Sequence, residues 1–306
     1  DAGAGGSFTE FRLFFRRLQE IGPAYGYHPE PTKSILIVQS HNFESARLEF
    51  EALHFKVTSG CRYLGGFVGD STLRDEWLEE KTSFWTAAIG ELAATARLYP
   101  QSAYTGLQRS LQQEWQYVQR VVGNISESFS AVEKAIRDDF IPALFGEEQA
   151  TPDNFRKLLA LPVKHAGIAL PNPTVSGPAN HKASILVCSH LLAAFRGTTE
   201  FCTVDHLSVR REVFQELQKR KNVECSESLA SSLLLMPVET RRTIRRGKET
   251  GMWLTLAPSM VNGTELSSQE FRDHLFLRYD REPPDLPSHC DGCLAKFDIC
   301  HALQCK

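Results

Sequence analysis

Apolar positions recur along this chain every three to four residues from near its start. Phe8, Phe11, Phe15 and Leu18 fall on one face with Arg12, Arg16 and Arg17 between them, which predicts an amphipathic helix ending at Gly22-Pro23. The period then changes. In "YGYHPEPTKSILIVQS" the prolines forbid helix and "SILIVQ" is a short β-rich apolar run, so Lys33 is placed at the mouth of a strand. "ESARLEFEALHF" returns to helical spacing through Leu48 and Leu53 and leads into a second strand, "KVTSGCRYLGGFVG". From about Ser71 the pattern predicts long helices broken at Pro100, near Gly123 and near Pro142, with Trp77, Phe84, Trp85, Leu92, Trp115, Tyr117 and Val121 on their apolar faces. After the Pro- and Gly-rich "LPVKHAGIALPNPTVSGP", further helices are expected around 179–196, 204–220 and 226–247. "SSQEFRDHLFLRY" opens with Ser267 and Glu270 in capping-box spacing, and "REPPDLP" then leads into a cysteine-rich tail.

The expected fold class is mainly α with a small α+β part. Four regions follow from the changes in texture: 1–70 with the strands, 71–150 helical, 151–287 a helical extension after the Pro/Gly-rich connection, and 288–306 the tail.

With 306 residues, 42% of them hydrophobic and 23% charged, the chain can bury an ordinary core. No run approaches the roughly eighteen apolar residues that span a bilayer, and no charged start followed by an apolar stretch reads as a signal peptide. The expectation is an intracellular protein, nuclear or cytoplasmic, neither secreted nor placed in a membrane. A start at Asp1 without an initiator Met fits a processed product or, the reading we favour, a piece of a longer frame.

Cys61, Cys188, Cys202 and Cys225 stand singly in apolar or helical surroundings and read as buried small hydrophobes. The tail differs. "SHCDGCLAKFDICHALQC" has the spacing Cys-x2-Cys-x7-His-x3-Cys, in which Asp291 and Gly292 form a turn between two thiolates and His301 and Cys305 stand one helical turn apart. That is ligand spacing for a structural, tetrahedral Zn2+ held by Cys290, Cys293, His301 and Cys305. A disulfide pair or the absence of any shared site are the alternatives, and Cys300 competes with His301 as the third ligand.

The order of the first elements resembles the back half of a reverse transcriptase palm, of the kind carried by retrotransposons without long terminal repeats. In that family a Tyr-x-Asp-Asp turn is followed by a helix, a Lys-bearing loop and strand, and a hairpin with a Leu-Gly pair that grips the primer. By that resemblance Asp1 matches the second Asp of the turn, and "GYHPEPTKS" matches the Lys motif, with Lys33 and Ser34 at its end and His28 or Pro29 where Asn is usual. Tyr63, Leu64 and Gly65 of "YLGG" match the primer grip. The helices after Ser71 then fall where the thumb belongs, and the tail falls where these elements carry a zinc knuckle. The resemblance covers residues 1 to about 125 and 288–305, and assigns nothing between them.

It implies RNA-templated DNA synthesis with two Mg2+ or Mn2+ ions, on an RNA template and a DNA primer or target. Two-ion chemistry needs converging carboxylates, and this stretch offers only Asp1, so by itself it is expected to be incomplete for catalysis.

A formal net charge of −3 is no signature of a nucleic-acid binder, but a local patch suffices. "RRTIRRGK" groups Arg241, Arg242, Arg245, Arg246 and Lys248, and "QKRK" adds Lys219, Arg220 and Lys221. These are candidate phosphate contacts, against the alternative of a solvated helix end whose cations suit the dipole. A competing function is a non-catalytic nucleic-acid-binding or scaffold protein with a terminal zinc module. Oligomeric state is not legible.

Overall fold

The computed structural model describes residues 3–284, 286–299, 301 and 305. It is mainly helical, with two small two-stranded sheets, and the chain divides into two compact units, Asp1–Glu80 and Lys81–Lys306.

In the first unit, helix α1 (Phe8–Ile21) begins at Ser7, whose Oγ accepts from the Glu10 amide while the Glu10 carboxylate accepts from the Ser7 amide. Its Phe15 joins Leu36, Ala46, Phe50 and Phe55 in a small core, with Phe8 and Phe11 packed alongside. Phe15 and Phe55 meet edge to face, 4.7 Å apart at 87°, while Phe50 and Phe55 stack at 5.6 Å. Strand β1 (Ile35–Ile37), helix α2 (Phe43–Phe50) and strand β2 (Lys56–Thr58) form a βαβ unit, with β1 parallel to β2.

The single strand expected over "KVTSGCRYLGGFVG" is three. β2 ends at Thr58, and β3 (Gly60–Tyr63) folds back on β4 (Gly66–Gly69) through a two-residue turn. Leu64 (φ 46°) and Gly65 (φ 80°) both have positive φ, the backbone that a tight right-twisted hairpin demands. Helix α3 (Ser71–Leu98) follows, its first amides capped by Asp70.

The second unit continues with α4 (Pro100–Gly106), α5 (Gln112–Val121), α6 (Ser130–Ala135) and α7 (Ile141–Phe145), then α8 (Asp153–Leu159). Pro142 does not break its helix. It follows a π-helical turn, Ile136–Phe140, whose shifted bonding accommodates the missing amide while the helix runs through it, and the Arg137 carbonyl is taken by the Thr151 amide instead. A second π-turn, Leu107–Leu111, joins α4 to α5. The central core holds Trp85, Trp115 and Phe129, with the Trp85 and Phe129 rings stacked at 5.9 Å.

After the Pro/Gly-rich connection come α9 (Pro173–Val187), α10 (Ser189–Phe195), α11 (Thr203–Leu234), α12 (Val238–Thr250) and α13 (Ser268–Arg278). α9 starts six residues earlier than the pattern predicts, because Asn172 caps it and Pro173 takes its first position. The expected gap near residue 223 is absent: α11 runs on, and the break falls at Pro237. Gln119, fully buried on α5, donates to the Pro173 carbonyl at 2.8 Å and accepts from Asn180 at 2.9 Å, joining helices on both sides of the connection. Among the described residues no helix is long and apolar enough to cross a membrane.

Candidate metal centre and basic surface

The metal centre is built on a tight loop. The Cys290 amide donates to the Ala295 carbonyl at 2.9 Å, the Leu294 amide to the Cys290 carbonyl at 2.8 Å, and the Phe297 amide to the Ser288 carbonyl at 3.1 Å, so the chain doubles back with His289 bridged to Lys296. Leu294, at φ 58°, makes the reversal. The loop turns its first two cysteines toward one point, and the returning chain adds the other two ligands. The Asp298 carboxylate caps the His301 amide at 2.6 Å, and the Cys305 amide donates to the His301 carbonyl at 2.8 Å, the helical contact that the spacing of 301 and 305 predicts.

Ligand atoms of Cys290, Cys293, His301 and Cys305 all lie within 4.8 Å of one another. Cys290 Sγ is 3.6 Å from Cys305 Sγ, Cys305 Sγ is 3.8 Å from Cys293 Sγ, and Cys293 Sγ is 3.1 Å from His301 Nε2. A tetrahedron with Zn–S bonds of about 2.3 Å has its sulfur corners about 3.8 Å apart, whereas a disulfide holds them at about 2.0 Å. The two sulfur pairs therefore have the spacing of thiols that share a cation.

The electrostatics agree. Backbone N–H groups of Cys293 and Gly292 point at the Cys290 sulfur and, with His301 and Cys305, bring its thiol down to about 6. Crowding by Cys290 and Cys293 pushes Cys305 up to about 11, and a divalent cation is the group that allows all three sulfurs to ionise together. The group can hold a metal such as zinc. Cys300, the competing ligand, lies outside the described residues.

Comparison with protein-family models, curated proteins and solved structures found no match.

Asp1 also lies outside the described residues. Lys33 is exposed in a short turn, Pro31–Lys33, and its Nζ pairs with Glu30 at 2.6 Å, which raises the lysine and lowers the glutamate from their ordinary values. Tyr63, Leu64 and Gly65 form the tip of the β3–β4 hairpin, with Tyr63 and Leu64 exposed. Gly3 lies against this tip, so close that a β-carbon on it would stand 2.8 Å from Tyr63 Oη.

α12 buries Ile244 and Gly247 and turns Arg242, Arg245 and Arg246 to solvent, with Arg241 and Lys248 half-buried at the margins. None of these five cations pairs with a carboxylate among the described residues. Beneath the helix lies Arg278, whose guanidinium donates to the carbonyls of Gly247, Val163 (3.0 Å) and Gly167 (3.2 Å). The pattern of α13 alone does not reveal that role, because its three acceptors come from two distant segments.

His165 is buried beside this clamp. Burial lowers its imidazole from the ordinary 6.5; Asn222 opposes the shift, and the charges of Lys164 and Lys248 add to it. The unfolded chain therefore takes up a proton first on acidification. Stability that is complete above 6.5 is lost as pH falls from there toward the folded value. Urea unfolding at about pH 7.5 and about pH 5.5 should show lower stability at the acid point, with a smaller difference in His165→Gln. An identical difference in both proteins would rule out His165 as its source.

Proposed function

We propose that this chain is the carboxy-terminal part of a retrotransposon-type reverse transcriptase, with the first unit as residual palm, the helices after Ser71 as thumb and extension, and the Cys/His group as a zinc knuckle. The observation that carries the reading is the contact of Gly3 with Tyr63. Gly3 stands beside an exposed two-residue hairpin tip, and a catalytic turn just before it would lie near a primer grip, as is needed if the primer terminus is to reach the metal ions.

The parallel pairing of β1 with β2 supports it. Parallel sheets ordinarily occur with further strands and cover on both faces, and under this reading the two three-residue strands would be the end of a larger palm sheet. The strands that flank a Tyr-x-Asp-Asp turn would extend it. Lys33, at the mouth of β1, would exchange Glu30 for the triphosphate of an incoming nucleotide and protonate the leaving pyrophosphate. Mg2+ or Mn2+, held by Asp1 and carboxylates of earlier palm strands, would supply activation of the primer hydroxyl.

The test begins with the reading frame upstream, which must encode Tyr-x-Asp directly before Asp1 and another Asp about one palm motif earlier. Protein so extended should copy an RNA template from a DNA primer. Lys33→Gln should lower kcat by about 100-fold or more, within the range of general acid catalysis. An upstream frame without the Tyr-x-Asp sinks the polymerase reading.

A further inference from the structure

We infer that the turn carrying Lys164, the middle of α11 and helix α12 form one track for the phosphates of a nucleic-acid backbone, anchored by Lys164, Lys221 and Lys248 and extended by Arg242, Arg245 and Arg246. The inference deepens the function proposed above and rests on it for the choice of nucleic acid as the polyanion.

Convergence is the first support. Lys164 Nζ donates to Asn222 Oδ1 at 2.6 Å, which ties the turn at Val163–His165 to α11 immediately beside Lys221. The same turn packs against both α11 and α12, so the elements that carry Lys164, Lys221 and Lys248 meet at one place, and the charges of Lys164 and Lys248 both bear on His165. Three cations from three separate elements thus lie around the 163–165 turn. The nearest acid on α11, Glu224, is engaged by Arg220 at 2.8 Å. Asp280, by the start of α12, accepts from Thr240 at 2.7 Å and Thr243 at 3.2 Å.

The floor of this area is positive as well. Arg278 is buried beneath the 163–167 turn and α12, its two Nη atoms held by carbonyls and its Nε without a partner, and no carboxylate pairs with it among the described residues. A buried cation is screened far less than a surface one, so its field adds to that of the lysines above it.

The placement of the arginines is the third support. The dipole explains cations at a helix carboxy end. Arg241 and Arg242, however, stand four and five residues into α12, toward its amino end, where the dipole offers a cation nothing. Although Glu239 and Glu249 share the helix, the stripe has no ion-pair partner among the described residues. An external polyanion supplies one: each phosphate neutralised on a duplex releases counterions and contributes about 0.9 to the slope of log affinity against log salt.

The test is fluorescence anisotropy of a labelled RNA–DNA hybrid duplex over a salt series. Three proteins are compared: the chain, a triple variant carrying Lys164→Gln, Lys221→Gln and Lys248→Gln, and a control with the same charge change, Arg120→Gln, Arg196→Gln and Arg210→Gln. Circular dichroism verifies the fold of each. The track predicts a slope shallower by about 2 to 3 for the lysine triple and a low-salt affinity at least about 10-fold weaker, with a much smaller change in the control. An unchanged slope, or equal losses in both triples, overturns it. Binding of phosphatidylserine vesicles as tight as that of the duplex overturns the choice of nucleic acid. Failure of the polymerase reading is separate: an upstream frame without Tyr-x-Asp removes the polymerase and leaves the slope result standing, whereas an unchanged slope removes the track alone.

Discussion

Replacing Cys293 with serine is expected to remove zinc from the protein and to unfold the loop that it closes. Protein purified under reducing conditions should contain about one zinc per chain by elemental mass spectrometry, and the Cys293→Ser variant close to none. Structural zinc contributes about 10–16 kcal/mol to small modules of this kind, and among the described residues of the tail burial adds little: of the four ligands only Cys290 is buried, while Cys293 and Cys305 are exposed. The 3.6 and 3.8 Å sulfur separations are held by backbone hydrogen bonds too few to survive alone. Limited proteolysis should therefore cut the tail of the variant first, and a chelator should reproduce the same cut in the parent. Zinc-free protein with a protease-resistant tail would show that the loop stands without metal.

The second large effect is expected at Glu133. Arg156 on α8 has a side chain only 5% exposed, and its Nε and Nη2 each meet one oxygen of the Glu133 carboxylate at 2.8 Å. Its Nη1 donates to the Leu170 carbonyl at 2.7 Å, so one guanidinium ties α6, α8 and the connection before α9 together. Removing one partner of such a pair leaves an uncompensated buried charge, which costs about 3–5 kcal/mol. Glu133→Ala should lower the Tm of the second unit by on the order of 10 °C. Much of that loss should return when Arg156→Met is combined with Glu133→Leu, since the pair's worth lies mainly in the cost of breaking it. A loss below about 1 kcal/mol in the single variant would mean that water reaches the pair and screens it.

Some of the architecture is legible from short stretches. Ser7 with Glu10 and Ser267 with Glu270 mark the starts of α1 and α13, because a capping box is a contract between residues three apart. The phenylalanine spacing of α1 gives its buried face, and the Cys/His spacing of the tail gives a ligand set whose atoms the fold brings within 4.8 Å. Element boundaries inside continuous polar or apolar runs are less legible. Polar stretches inside 204–247 suggested a break near 223, yet α11 continues to Leu234 and only Pro237, which lacks a donor, stops it. The apolar pattern of "KVTSGCRYLGGFVG" reads as one strand, and only the resemblance of "YLGG" to a Leu-Gly hairpin points to the reversal there, which depends on positive φ at Leu64 and Gly65 and not on any loss of apolar pattern.

The sequence by itself determined the helical bias, the chemistry of the tail and the existence of a basic run, because each depends on residues within a turn or two of one another. Only the tertiary structure decided which distant segments these cations join. Lys164 meets Asn222 across 58 positions, and Arg278 meets Val163 across 115. Such pairs carry no periodic signal, because they are set by how whole helices pack and by the need to satisfy every buried donor and acceptor once they do.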